Sequence, residues 1–259
     1  MTLTLGNALL GTTSPDTVNY TIDGPRHRLL MDPFPRRARA EIDGVTLFDT
    51  VDGQLVHESN IPPVLYVPVD DVDMALLEPT DHSTHCPFKG DASYWSARVG
   101  DRVVENAFWG YLSPLPEAPW LKGYVAPYFQ KMDRWFDEDT EVFGHLRDPY
   151  HRVDARPTSR PVTVRLNGDT IAESTEAVIV SETGLPNRWY IPRGDVRVDL
   201  VATYTTTHCP YKGQSTYWSA AGIDDVAWSY EEPFDGLTPI AGRVSFDDGH
   251  DGLTITVGT

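Results

Sequence analysis

The sequence predicts an all-β fold built twice, and three observations carry that prediction. Residues 84–97 (THCPFKGDASYWSA) return as residues 207–220 (THCPYKGQSTYWSA), with ten of fourteen positions identical. Amphipathic helical periods are scarce, while the β-branched and aromatic runs are short and cut by Pro and Gly. A repeat of more than 100 residues is the spacing of paired globular domains rather than of a solenoid. The expected organisation is a leader at 1–24, a first repeat domain at 25–136, an acidic connector at 137–148 (DEDTEVFGHLRD) and a second repeat domain at 149–259. Each domain is read as seven or eight short antiparallel strands with few short helical turns. The connector is short enough for the two repeats to pack on one another within the chain.

The elements follow in order. PRHR at 25–28 matches PYHR at 149–152, an offset of 124, and IDG at 42–44 matches LNG at 166–168. A Gly after Asp or Asn between alternating segments (ARAEI, VTVRL) is the signal of a tight hairpin, so each domain is expected to open with one. ESNIPPVLYVPVDDV at 58–72 matches ETGLPNRWYIPRGDV at 182–196, with prolines bracketing LYV and WYI. Proline cannot donate to a ladder, which predicts a short strand at an edge or rim. The offset falls to 123 at the central motif and to 119 at FWGYLSP (108–114) against AWSYEEP (227–233). Loops absorbed those deletions. Short helical turns are expected at 115–121 and 235–241, and the alternating strand LTITV closes the second domain.

Composition narrows the function classes. A formal charge of −17 opposes a phosphate-tracking surface, so no nucleic-acid partner is expected. The opening MTLTLGNALLGTTSPD has neither a basic n-region nor an apolar run of signal-peptide length. No segment approaches the roughly 18–20 apolar residues of a membrane span. Cys86 and Cys209 occupy the same place in each repeat and make no disulfide framework. A cytoplasmic protein with no membrane partner is the expectation.

The run T-H-C-P-[FY]-K-G-x-x-x-Y-W, preceded by Y-[VI]-P-x-x-D-V and followed by W-x-Y-x-x-P, resembles the bacterial and fungal family catalogued as domain of unknown function 427. The resemblance spans nearly all of both repeats. It implies two tandem domains of the β-tent kind, related in shape to the thalidomide-binding domain of cereblon and to methionine sulfoxide reductase B. Many β-tent relatives hold zinc between two C-x-x-C knuckles; this sequence has no C-x-x-C, and no metal or cofactor is expected. The family also carries a nucleotidyltransferase label. The D-x-D of the first repeat, Asp71 and Asp73, becomes Asp195 and Arg197 in the second, which breaks the paired carboxylates that a magnesium site needs.

The residues that bear chemistry gather around the H-C-P-[FY]-K-G loop. Cys86 and Cys209 read either as nucleophiles favoured by His85 and His208 or as small buried hydrophobes. Lys89 and Lys212 could clamp an anionic group or lay their stems over the aromatic strand. Glu58 and Glu182 could be bases, partners for those lysines, or turn stabilisers. Arg28, Arg36, Arg152 and Arg160 read as ion-paired structural groups. Side chains alternate across a strand, so Tyr94 and Trp95, like Tyr217 and Trp218, point to opposite faces, one of them into the core. Trp109 and Tyr111, with Trp228 and Tyr230, complete an aromatic set suited to a flat or cationic ligand. Three functions remain open. The favoured one is a small-molecule binder with an aromatic-lined pocket bearing Lys89 or Lys212. The others are an enzyme, transferase-like, using Cys, His, Lys or Glu of the loop, and a protein-interaction module.

Overall fold

The computed structural model describes Asn19 and residues 24–259, so the expected leader lies, apart from Asn19 and Gly24, outside the described residues. The chain divides into two compact units between Tyr150 and His151. Every helical segment among the described residues is a three-residue 3-10 turn; the rest of the regular structure is strand. The all-β class is what the sequence predicted.

The first unit contains β1 (Leu29–Pro33), β2 (Ala38–Ile42), β3 (Val45–Thr50), β4 (Gln54–Glu58), β5 (Ile61–Pro68), β6 (Leu77–Cys86), β7 (Gly90–Val99), β8 (Arg102–Gly110), β9 (Tyr124–Pro127), β10 (Arg134–Asp137) and β11 (Thr140–Val142). They form a seven-stranded sheet, β1-β4-β5-β9-β8-β7-β6, and a four-stranded sheet, β11-β10-β2-β3. The second unit contains β12 (Val153–Pro157), β13 (Val162–Leu166), β14 (Asp169–Ser174), β15 (Val178–Glu182), β16 (Arg188–Tyr190), β17 (Leu200–Cys209), β18 (Gly213–Ala220), β19 (Ile223–Ser229), β20 (Val244–Phe246) and β21 (Leu253–Val257). Its strands run β12-β15-β16, β14-β13-β21 and β17-β18-β19-β20, and an antiparallel bridge from Ile191 to Val244 joins the first and last of these in the order seen in the first unit.

Several sequence expectations need adjustment. The Asp-Gly and Asn-Gly hairpins exist, with Asp43 and Gly44 at φ 49° and 74° and Asn167 and Gly168 at 51° and 92°, the paired positive φ of a type I′ turn. They join β2 to β3 and β13 to β14, so a strand pairing with the next hairpin, β1 or β12, precedes each. The units hold eleven and ten strands, not seven or eight, because runs that Pro and Gly divide still pair in pieces of three or four residues. Part of the acidic connector is itself strand: β10 ends at Asp137, and β11 pairs back onto it. The Pro-bounded β5 is interior, between β4 and β9; Pro62 and Pro63 fall where the β4 register bulges, and Pro68 lies opposite Tyr124 of β9. The 3-10 turns at Pro119–Leu121 and Thr238–Ile240 fall where helical turns were expected.

Each unit carries two apolar clusters, and alternation along the large-sheet strands separates them. Leu55, Leu65, Val67, Trp95 and Phe108 face the small sheet and form the sandwich core of the first unit. Val56, Tyr66, Ala92, Tyr94 and Tyr111 face the other way and form a second, aromatic cluster with Trp109 beside it. In the second unit Trp218 packs in the sandwich core, and Tyr190 and Tyr230 lie in the aromatic cluster.

Candidate functional site

The site grows out of strand register. Glu58 ends β4 opposite Leu29 of β1, which brings His27, two residues earlier, onto its carboxylate; His27 Nε2 lies 2.8 Å from Glu58 Oε1. Glu182 ends β15 opposite Val153, and His151 Nε2 lies 2.8 Å from Glu182 Oε1. The second carboxylate oxygen, Oε2, accepts from Lys89 Nζ in the first unit and from Lys212 Nζ in the second. Both repeats therefore hold a His-Glu-Lys triad, with its Glu-Lys pair largely shielded from water. The ring of Phe88 stacks on His27 at 3.7 Å, and that of Tyr211 lies 4.4 Å from His151.

The lysines sit in the turns that close β6 on β7 and β17 on β18. The Leu115 N–H donates to the Lys89 carbonyl at 3.0 Å, and the Phe234 N–H to that of Lys212 at 3.2 Å, so the following loop grips each turn. Gly90 and Gly213 come next, at φ 104° and 107°, and a Cβ on Gly213 would stand 3.3 Å from the Glu232 carbonyl oxygen. Only Gly lets this turn lie under its neighbour. Burial pushes the Glu182 carboxyl upward, but the hydrogen bond from His151 and the charge and hydrogen bond of Lys212 outweigh it and hold the group at about 2.

Tyrosine and tryptophan wall the triad. Trp228 Nε1–H donates to the Tyr190 hydroxyl at 3.1 Å, and Trp109 bonds Tyr66 in the same way. Burial raises the Tyr66, Tyr111, Tyr190 and Tyr230 phenols, so all four stay neutral. Lys89 Nζ lies 5.9 Å from the centre of the Tyr111 ring. In the second unit these groups line a cavity of about 330 Å³, with Glu182 and Lys212 among Tyr190, Tyr217, Trp228 and Tyr230. A separate cleft of about 360 Å³ in the first unit runs between Leu65, Trp109, Tyr128, His145, Leu146 and Asp148, and neither Glu58 nor Lys89 lines it.

The sequence of the DUF427 family, domain of unknown function, matches residues 30–138 and again 154–255. The chain belongs to the DUF427 family. None of the curated proteins compared with the chain matches it. The triad of each DUF427 unit falls in or beside its matched segment, with Glu58, Lys89, Glu182 and Lys212 inside and the two histidines just ahead.

The structure brings Glu58, Lys89 and the aromatic wall of Tyr94 and Trp109 to one face of the first DUF427 unit, and Glu182, Lys212, Tyr217 and Trp228 to the matching face of the second. It places Trp95 and Trp218 on the opposite, sandwich-core side. Cys86 and Cys209 pack against the aromatic clusters. His85 leaves Cys86 on the other side of β6 and bonds the exposed Asp91 at 2.7 Å; His208 is likewise exposed beside Cys209. Among the arginines, Arg36 pairs with Asp137 at 2.5 Å and Arg152 with Asp154 at 2.7 Å, while Arg160 donates to the Gly258 carbonyl at 2.9 Å. Asp71 accepts from Thr50 and Asp73 caps a 3-10 turn, structural uses for both carboxylates of the D-x-D. Among the described residues, no three His, Cys, Asp or Glu side chains are grouped to hold a metal ion. Sequence reasoning did not single out His27 and His151. Their signal was the PRHR and PYHR match, where the histidine is the conspicuous repeated side chain.

Proposed function

We propose that the chain is a small-molecule-binding protein whose ligand sits in the aromatic cavity of the second DUF427 unit, anchored by Lys212. The observation that carries this reading is the cavity itself: about 330 Å³, lined by four aromatic rings, with the buried Lys212 and Glu182 among its walls. Its wall sets those rings beside the convergent charged groups Glu182, Arg188, Lys212 and Asp247, the polar contacts that orient a ligand in a pocket. Lys212 spends one N–H on Glu182 and keeps two for a carbonyl, carboxylate or phosphate oxygen of the ligand. The contact with Glu182 orients the lysine, so an incoming acceptor meets a positioned donor.

The enzyme reading is the weaker one, because the histidine beside each cysteine in sequence projects from the other side of the strand. A nucleic-acid partner fits poorly with a charge of −17. A cytoplasmic setting belongs to the same proposal, supported by two cysteines left as free thiols. No helix among the described residues is long and apolar enough to cross a membrane.

A thermal-shift screen of the intact protein against small acids, amides and heterocycles tests the reading, since a ligand that binds only the native state stabilises it in proportion to ln(1 + [L]/Kd). The expected result is a saturable rise in Tm that Lys212→Met abolishes and Lys89→Met leaves. A hit unaffected by Lys212→Met, or no hit across the panel, counts against it.

A further inference from the structure

The two repeats differ on the wall of the site. Trp109 on β8 pairs with Ala126 of β9, and Trp228 on β19 pairs with Ser245 of β20. Two residues beyond each partner stand Tyr128 and Asp247. Their backbones are equivalent: Tyr128 N–H donates to the Ala107 carbonyl at 2.9 Å, and Asp247 N–H to the Val226 carbonyl at 2.9 Å. The side chains do different things. Tyr128 lays its ring on Trp109, centroids 4.2 Å apart, and hydrogen-bonds Tyr94. Asp247 turns into its own loop, accepting from the Gly249 N–H at 3.0 Å with His250 Nε2 at 3.9 Å, and lines the cavity together with Trp228. Arg188 stands where the first unit has Val64. It is held by Asp248, with its guanidinium 5.6 Å from the centre of the Trp228 ring.

We infer that Tyr128 fills, in the first unit, the position that a ligand's aromatic ring takes in the second, so that the first repeat is self-occupied and Trp228 is the stacking platform for a small aromatic or heteroaromatic molecule. The inference rests on the pocket proposed above for its location, not on the role of Lys212. Space is sufficient, because a dry cavity of about 150 Å³ already accepts benzene and this one is about 330 Å³. The chemistry is matched too: an aromatic platform in Trp228, the planar Arg188 guanidinium over that ring, and Asp247 able to accept from a donor substituent. Trp109 carries a ring of its own chain, whereas Trp228 lines a cavity with Asp247 beside it.

The test uses 4-methylphenol, the tyrosine side chain detached from its backbone. The intact protein is labelled with ¹⁵N, and the indole N–H signals of Trp109 and Trp228 are assigned from the Trp109→Phe and Trp228→Phe variants. Titration is expected to move the Trp228 signal saturably and leave that of Trp109 in place. Asp247→Tyr should weaken the Trp228 response at least tenfold, while Tyr128→Ala should make Trp109 respond; the undisturbed backbone spectrum of each variant reports its fold. Equal responses of both indoles, no response from either, or unchanged binding to Asp247→Tyr would overturn the inference. Lys212→Met separates this inference from the anchor reading. If 4-methylphenol still binds that variant while no compound of the wider panel depends on Lys212, the aromatic site stands and the lysine anchor falls; a Lys212-dependent ligand without a Trp228 response has the opposite meaning.

Discussion

Lys212 and Glu182 form an ion pair with 11% and 12% of their side chains exposed, and Lys89 and Glu58 form its counterpart at 11% each. Two charges so far from water are tolerable only because each carboxylate oxygen has its own donor, His on one side and Lys on the other. The arrangement fixes the rim of the aromatic cavity at the end of β15. It also makes the site sensitive to single changes.

Lys212→Met should destabilise the second unit by about 3 kcal/mol, because removing one member of a buried pair leaves the other charge uncompensated. Adding Glu182→Gln should return part of that loss, since the double variant buries no unpaired charge. Urea unfolding followed by tryptophan fluorescence measures both. A single variant as stable as the parent would show that the pair is open to water.

Acid should weaken the second unit through Glu182. Its carboxyl is held at about 2 in the folded chain against an ordinary value of 4.5, so the folded state binds fewer protons than the unfolded state. The contribution is fully present above pH 4.5 and fades as the pH falls towards 2. At about 1.4 kcal/mol per pH unit it amounts to about 3 kcal/mol. Glu182→Gln should flatten this part of the stability profile between those two pH values, measured by denaturation at stepped pH.

Gly213→Ala is expected to disturb the lysine turn. The backbone there has φ 107°, and the added methyl would meet the Glu232 carbonyl oxygen at 3.3 Å. A cost of about 1–2 kcal/mol follows from a non-Gly residue in that conformation. The ¹H–¹⁵N signals of residues 211–214 and of Glu232 and Phe234 should shift, while those of the β13–β14 hairpin stay. A neutral substitution would mean that the turn relaxes freely.

Cys86 and Cys209 are expected to react with iodoacetamide at least tenfold more slowly in the native protein than in urea, read separately by peptide mass. Both pack against aromatic clusters that also bury Tyr66 and Tyr190. Fast native alkylation of either thiol would revive the nucleophile reading.

Much of the fold was legible because it was written twice. The Asp-Gly and Asn-Gly hairpins, the helical turns before β9 and β20, and the all-β class all follow from local rules: positive φ, proline, period-two alternation. The interior place of β5 did not, because strand neighbours are set by which long-range ladder closes: β5 pairs with β4 between Ile61 and Tyr66 and with β9 at Val67 and Pro68. The candidate site was legible in part. Glu58, Lys89, Glu182 and Lys212 stood out as repeated polar residues beside an aromatic strand. Their partners His27 and His151 were hidden in plain repeats, since nothing local says that a residue 31 positions earlier meets the same carboxylate.

By itself, the sequence determined that this chain is a duplicated β-protein with one cysteine, one lysine turn and one Tyr-Trp strand per copy, since identity between repeats and turn chemistry are local properties. Only the tertiary structure decided that Tyr94 and Tyr217 lie on the triad side while Trp95 and Trp218 face the core, and that Tyr128 stacks on Trp109 while Asp247 lines the cavity beside Trp228. The physical reason is that burial and stacking belong to the register of paired strands, and register is settled by contacts among residues far apart in the chain.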